Sequence, residues 1–398
     1  MRPLTGGAHG LFVVAALAGG CGRIGFDALA EDGDGGVDTP VDRAGNFTPT
    51  PCDSPVLVAQ LGAPSASPPP RYALDVTATA TGMVAVYQLG HGALYATGIA
   101  VDATGGIENI QTRGHVVDTS TADVSVAALG DLVQLAVADD ANSRMAILDL
   151  SEYGYGNGDT AYVDTKLARG HNFLVADGDD DQFVVVGVNG TSAYRFTVDR
   201  DGDLVDAPYQ IIVGDGSLVP ESVGAVKHGS GFAAYAGTTS QCTVGAFQDD
   251  WTLDGSLRTV AMTCHNLSIA SAPSSSNVVA GWNCDNDQVW TTAGNVSVAA
   301  LPAERSVFGD STMVAANPRV AATSDGTWYA YAVAGGRLGR TLLDPSGASV
   351  PAIPPSDVYA SSRVVAHDLI SRDNKAFLLW VEHGAPEDEL YVMRLCTP

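Results

Sequence analysis

From Gly82 the chain reads GMVAVYQLGHGALYATGIAVDATGG: an apolar run, a short polar break, a second apolar run and a glycine-rich end. This is the pattern of two strands joined by a loop and closed by a turn. The pattern returns at Gly130, Asp181, Gly231, Ser276, Gly326 and Asn374, in steps of 48, 51, 50, 45, 50 and 48 residues. Each copy is preceded by a further short strand, such as ALDVTATA, ADVSVAAL or SRVVAHD. Each of the first six is followed by another, as in IENIQTRGHVV, APYQIIVG or VSVAALP. The unit therefore has four strands, a to d in chain order, repeated seven times.

A four-stranded unit of 45 to 51 residues cannot bury both of its faces alone, so neighbouring units must stack. The spacing predicts an all-β chain folded as a seven-bladed β-propeller. The units resemble diverged propeller families in general and lack the Trp-Asp signature of WD repeats. Two β-sandwiches are the rival architecture, but they do not demand near-equal spacing of one motif over 300 residues. The last copy, NKAFLLWVEHGAPEDELYVMRL, stops after strand c. Its missing outer strand would leave an open edge. SPVLVAQLG, Ser54 to Gly62, belongs to no copy and precedes the first strand a, which makes it the expected outer strand of the last blade. The ring would then be closed by strands from both ends of the chain.

Composition supports strands over helices. Hydrophobic residues make up 45% of the 398 residues and charged residues only 16%, with 45 glycines for tight turns. The formal net charge is −25, and the lysines are Lys166, Lys227 and Lys375. Such a surface repels phosphate backbones and anionic lipid heads, which argues against nucleic acid and against a polybasic membrane contact.

The N-terminal stretch MRPLTGGAHGLFVVAALAGGC has one charge, a short apolar run and small residues before Cys21. It reads as an export signal, too short to span a bilayer. LAGGC resembles the lipobox of bacterial lipoproteins, with Leu17 one position further from the cysteine than in that pattern. The resemblance implies lipidation of Cys21, and Gly22 in place of aspartate implies sorting to the outer membrane. The expected organisation is a signal peptide over 1–20, a lipid-anchored acidic linker over 21–53 and a β-propeller domain over 54–398. Plain secretion, with the whole N-terminal segment removed, is the alternative.

An exported chain lies where disulfides persist. Cys52 precedes the strand PVLVAQL and Cys396 follows the strand ELYVMRL, so antiparallel pairing of these strands brings both sulfurs to one edge. A Cys52–Cys396 bridge is expected. Folding the hairpin between QCTVGAF and RTVAMTC about Leu253 sets Cys242 opposite Cys264, a second expected bridge, with Cys284 as the alternative partner.

Candidate chemistry is sparse. DRDGDLVD, Asp199 to Asp206, has the look of a calcium loop but takes the place of a strand c-to-d turn, where Asp and Gly serve turn geometry. TSDGTWY, Thr323 to Tyr329, lacks the spacing of a sialidase Asp-box and falls on an a-to-b turn. His91 and His383 occupy the same b-to-c loop in the first and last copies and mark a candidate ligand face. Tyr87, Tyr235, Trp282, Tyr331 and Trp380 recur near the end of strand b, either lining a site or filling the space between blades. No catalytic constellation, metal site or cofactor is expected. The expected role is a lipid-anchored, non-enzymatic binding or scaffold propeller of the cell envelope, with a protein or glycan partner. The alternative is a lyase or hydrolase acting on a polysaccharide or peptide in the central funnel, and a third reading is cation-dependent assembly.

Overall fold

The computed structural model describes residues 52, 54–61, 73–89, 93–111, 114–118, 124–130, 132–139, 144–154, 156–163, 174–177, 182–212, 220, 222–238, 241–261, 265–271, 277–283, 289–295, 305–308, 315–333, 336–343, 353–359, 363–383 and 387–397. Among these the chain is all-β, with seven small antiparallel sheets and no helix. The sheets are numbered I to VII in chain order. Sheet I holds Leu74–Ala78, Gly82–Leu89, Ala93–Val101 and Ile107–Ile110, with Gly114–Asp118 also on its third strand. Sheet II holds Val124–Leu129, Leu132–Asp139, Arg144–Ser151 and Gly156–Val163. Sheet III holds Leu174–Asp177, Phe183–Asn189, Ser192–Val198 and Leu204–Ile212. Sheet IV holds Ser222–His228, Gly231–Thr238, Gln241–Phe247 and Arg258–Ala261. Sheet V holds His265–Ser271, Val278–Asn283, Val289–Gly294 and Arg305–Phe308. Sheet VI holds Ala315–Thr323, Gly326–Val333, Arg337–Leu343 and Ile353–Tyr359.

Sheet VII is different. Arg363–Arg372, Lys375–His383 and Glu389–Leu395 supply strands a to c, and the outer strand is Val56–Gln60 from the other end of the chain. Val56 faces Val392, and Gln60 faces Glu389 after a bulge between Leu57 and Ala59. Cys52 and Cys396 form a disulfide with their Cα atoms 5.7 Å apart, 344 residues apart in sequence. Leu61 continues the pairing beyond the strand by donating its N–H to the Asp388 carbonyl at 2.7 Å.

The middle strands are apolar on both faces because each sheet is covered on both sides. Phe377 to Val381, for example, are buried throughout. Consecutive sheets share apolar clusters. Val133, Leu135 and Leu148 of sheet II pack with Val84, Val86 and Leu94 of sheet I, and Met145 and Ile147 pack with Phe183 and Phe196 of sheet III. Similar clusters join III to IV, IV to V, V to VI and VI to VII. Sheets VII and I also share one, in which Phe377, Leu379 and Val392 meet Met83, Tyr87 and Ile99. At roughly 2 kcal/mol for each large apolar side chain buried, these clusters hold the sheets together.

Strand d of sheet I departs from the sequence expectation. IENIQTRGHVV reads as one strand, yet Ile107–Ile110 and Gly114–Asp118 pair separately with strand c. The cause is a turn of sheet II that wedges against Gly98. The Gly98 N–H donates to the Tyr153 carbonyl at 3.1 Å, and a Cβ on Gly98 would stand 2.7 Å from the Tyr153 Cα.

Candidate functional site

Strand a of each sheet lies beside strand a of the next, and strand a of sheet VII lies beside that of sheet I. On five of these strands the same register position carries an informative residue. Asp75, Ser125, Gly224, Arg319 and Asp368 pair with Val86, Ala136, Tyr235, Ala330 and Leu379 respectively. In each case the partner is the fifth residue of its strand b. Arg319, Asp368, Asp75 and Ser125 stand on sheets VI, VII, I and II, so four neighbouring strands present them as one polar arc.

Each member of the arc is tied to the next. Arg319 Nε lies 3.5 Å from Asp368 Oδ1. Asp368 and Asp75 share a side-chain hydrogen bond, and Asp75 bonds the Ser125 side chain. Backbone donors fix the carboxyls. Val76 N–H donates to Asp368 Oδ2 at 3.0 Å, Leu369 N–H to Asp368 Oδ1 at 2.9 Å, and Val126 N–H to Asp75 Oδ2 at 2.7 Å. Ser222 repeats the device on sheet IV, where its hydroxyl accepts from Leu267 N–H at 3.2 Å.

Two carboxyls can share a hydrogen bond only if one keeps a proton. Burial, followed by the Asp368 negative charge, pushes the Asp75 carboxyl well above its ordinary range, so Asp75 is the donor. Asp368 is also raised by burial, opposed by the Arg319 guanidinium, and serves as the carboxylate. With Arg319 positive, Asp368 negative and Asp75 protonated, the arc carries no net charge.

Tyr235 approaches from sheet IV. Its ring lies over Gly224, where a Cβ would stand 2.8 Å from the phenol oxygen, so only glycine admits this placement. Burial pushes the Tyr235 phenol up to about 12, opposed by the Arg319 charge and assisted by that of Asp368. Arg319 keeps 38% of its side chain exposed, and Tyr235 is half-buried. These two groups present the site to solvent, whereas the carboxyls behind them are held. His367, next to Asp368, is buried. Burial, then the Arg319 charge, pulls its imidazole down to about 3, so it stays neutral.

The residues singled out in the sequence fare unevenly. Tyr87, Trp282, Tyr331 and Trp380 are buried between sheets, which leaves Tyr235 as the one of the five with an open face. Tyr87 and Trp380 satisfy their polar atoms internally, against Thr97 at 2.8 Å and Glu382 at 2.8 Å. His383 Nδ1 bonds Asp388 Oδ1 at 2.7 Å, beside the pairing of Val56–Gln60. His91, Cys21, Cys264 and Cys284 lie outside the described residues. Cys242 is disulfide-bonded, but the hairpin register is corrected: Cys242 faces Ala261, because the tip folds at Gln248–Thr252 and a bulge follows. DRDGD is a turn. Asp199 Oδ1 accepts the N–H groups of Asp201 and Asp203 at 3.0 and 2.9 Å, as Asp102 does for Thr104 and Gly106 in sheet I. Among the described residues no three His, Cys, Asp or Glu side chains group as a metal site.

The arc escaped sequence reading because its members sit on separate strands, about 50 residues apart between consecutive sheets. One signal was present: all five positions fall seven residues before the first residue of strand b.

No known family profile matches the chain, and no curated protein matches its sequence. Solved structures do resemble it. A chain of hydrazine synthase from Kuenenia stuttgartiensis superposes with a TM-score of 0.56 at 13% identity, over 86% of this chain and 98% of that one. The Dos1 propeller gives 0.50 at 10% identity, over 86% and 96%. The RRP9 WD40 repeats give 0.50 at 8% identity, over 85% and 100%. The fold is of the β-propeller kind.

Proposed function

We propose that this chain is a non-enzymatic binding propeller, its seven sheets closed as seven blades, with its ligand site at the arc of Arg319, Asp368, Asp75 and Ser125 faced by Tyr235. The carrying observation is that arc. Half-exposed donors stand on a buried, fully bonded support, which is how a rigid site is preorganised. Closure is supported by the apolar cluster between sheets VII and I and by the N-terminal strand on sheet VII. In the closed ring the arc lines the central channel. The LAGGC stretch and the acidic linker support a lipid anchor on Cys21 that holds the propeller outside the cytoplasm, at the outer membrane.

The full chain carrying 3-fluorotyrosine provides the test, with the Tyr235 fluorine resonance assigned by its loss in Tyr235→Phe. Small polar fragments of neutral, anionic and cationic classes are added in turn. A shift of the Tyr235 resonance by at least one class is expected, and indifference to all of them overturns the reading.

One observation favours the alternative of a hydrolase or lyase: Asp75 offers a proton beside the Asp368 carboxylate, a donor and an acceptor in one pair. Turnover of a polysaccharide or peptide that Asp75→Asn abolishes, with the fold intact, would select it.

A further inference from the structure

We infer that the arc takes a neutral, hydroxyl-rich ligand, the terminal sugar of a glycan, whose hydroxyls accept from Arg319 and meet the Tyr235 phenol. The inference rests on the binding reading above and names the ligand class of the same site.

Charge comes first. The chain carries −25, yet the arc is locally balanced, because the Arg319 and Asp368 charges cancel and Asp75 is protonated. A cationic ligand would find no uncompensated carboxylate there. An anionic ligand would bond Arg319 only by lying against Asp368, 3.5 Å from the same guanidinium. Either ion would enter a sheltered site without a counter-charge, a cost of several kcal/mol.

Hydrogen bonding comes next. Arg319 offers donors and the Tyr235 phenol both donates and accepts, while Asp368 and Ser125 are buried behind them with their bonds made inside the protein. A sugar hydroxyl donates one bond and accepts others, so neighbouring hydroxyls match the Arg319 donor and the Tyr235 phenol, which does both. Rigidity comes last. Asp368 is held by Val76 and Leu369, Asp75 by Val126, and the Tyr235 ring by the missing side chain at Gly224. Sites of this kind bind weak, many-handed ligands without ordering loops.

The test applies the full chain, in detergent, to an array of immobilised neutral oligosaccharides, with sialylated and amino-sugar glycans as the charged arms. Retention of neutral glycans is expected. Tyr235→Phe should weaken it about tenfold, as the loss of one hydrogen bond does, and Arg319→Met should weaken it further. Tyr235→Phe deletes one oxygen, so a folding failure in Arg319→Met leaves the first variant as the arbiter. Retention of charged glycans alone, retention of none, or neutral binding indifferent to Tyr235→Phe each overturns the inference. A Tyr235 fluorine signal that moves with fragments while no neutral glycan binds rejects the ligand class and spares the site.

Discussion

Sheets III and VII have the same four-strand plan but are secured differently. Sheet III forms from consecutive hairpins between Leu174 and Ile212, and its outer strand is left in the open. Leu204, Val205 and Tyr209 there are 43%, 49% and 59% exposed, and Arg195 links the strand inward through Asp206. Sheet VII must recruit its outer strand from the far end of the chain, across 344 residues at the disulfide. It collects ties accordingly. Besides Cys52–Cys396 and His383–Asp388, Arg372 donates to the Thr79 and Ala80 carbonyls at 3.1 and 2.8 Å. Lys375 reaches the Ala103 carbonyl at 3.1 Å, and Arg394 bonds that of Thr104. All three cations fasten sheet VII to sheet I. A local hairpin costs little loop entropy, whereas a strand returned from the far terminus costs more, and the extra bonds offset that cost.

Removing the disulfide should break the comparison most strongly. Cys52→Ser with Cys396→Ser should lower stability in chemical denaturation by up to about 5 kcal/mol, the loop-entropy figure for so long a loop. An unchanged midpoint would mean that the outer strand of sheet VII holds without it.

Asp368→Ala should come next, at about 3 kcal/mol, because it strands Arg319 and the Val76 N–H together. The conservative Asp368→Asn, which keeps an acceptor for Val76, should cost less. Equal losses for the two would show that the charge beside Arg319 is immaterial.

The shared proton gives the seam between sheets VII and I a pH dependence. Asp75 has a raised folded pKa, so its contribution is complete below the ordinary value of 3.8 and is lost as pH rises through the raised one. The groups that act on it are Asp368 and Ser125, with Arg319 and Tyr235 facing the pair. His367 acts in the opposite sense: its contribution is present above 6.5 and is lost as pH falls towards 3. Comparing wild type with Asp75→Asn at each pH cancels His367. The difference should shrink with rising pH at up to about 1.4 kcal/mol per unit, and a constant difference would refute the shared proton.

The smallest effect belongs to sheet III. Leu204→Ser and Val205→Thr alter exposed side chains and should move stability by no more than about 0.5 kcal/mol. A loss of several kcal/mol in thermal or chemical unfolding would mean that this strand is covered.

What was legible in the sequence was what a strand writes locally. The starts read at Gly82, Gly231 and Gly326 are the first residues of strand b, and Ser54–Gly62 contains the strand that completes sheet VII. The Cys52–Cys396 bridge followed from that pairing alone. What stayed hidden was set between sheets. Asp75 and Asp368 look like ordinary polar residues until strand a of sheet I lies beside strand a of sheet VII. Tyr235 looks like Tyr87 until Gly224 is seen beneath it. The split of strand d in sheet I was equally invisible, since its cause is the Tyr153 turn of another sheet.

The junction of the first and last sheets is the central claim, and cross-linking tests it most directly. Ala80 and Asp373 are exposed residues on the two turns that Arg372 joins, so Ala80→Cys with Asp373→Cys leaves the arc untouched. In the native full chain a short thiol-reactive cross-linker should join the two cysteines, and mass spectrometry should recover the linked peptide. Denaturant should abolish the link. If both thiols react singly and no linked peptide forms while the protein remains folded, sheets VII and I do not meet, and the closed ring is wrong.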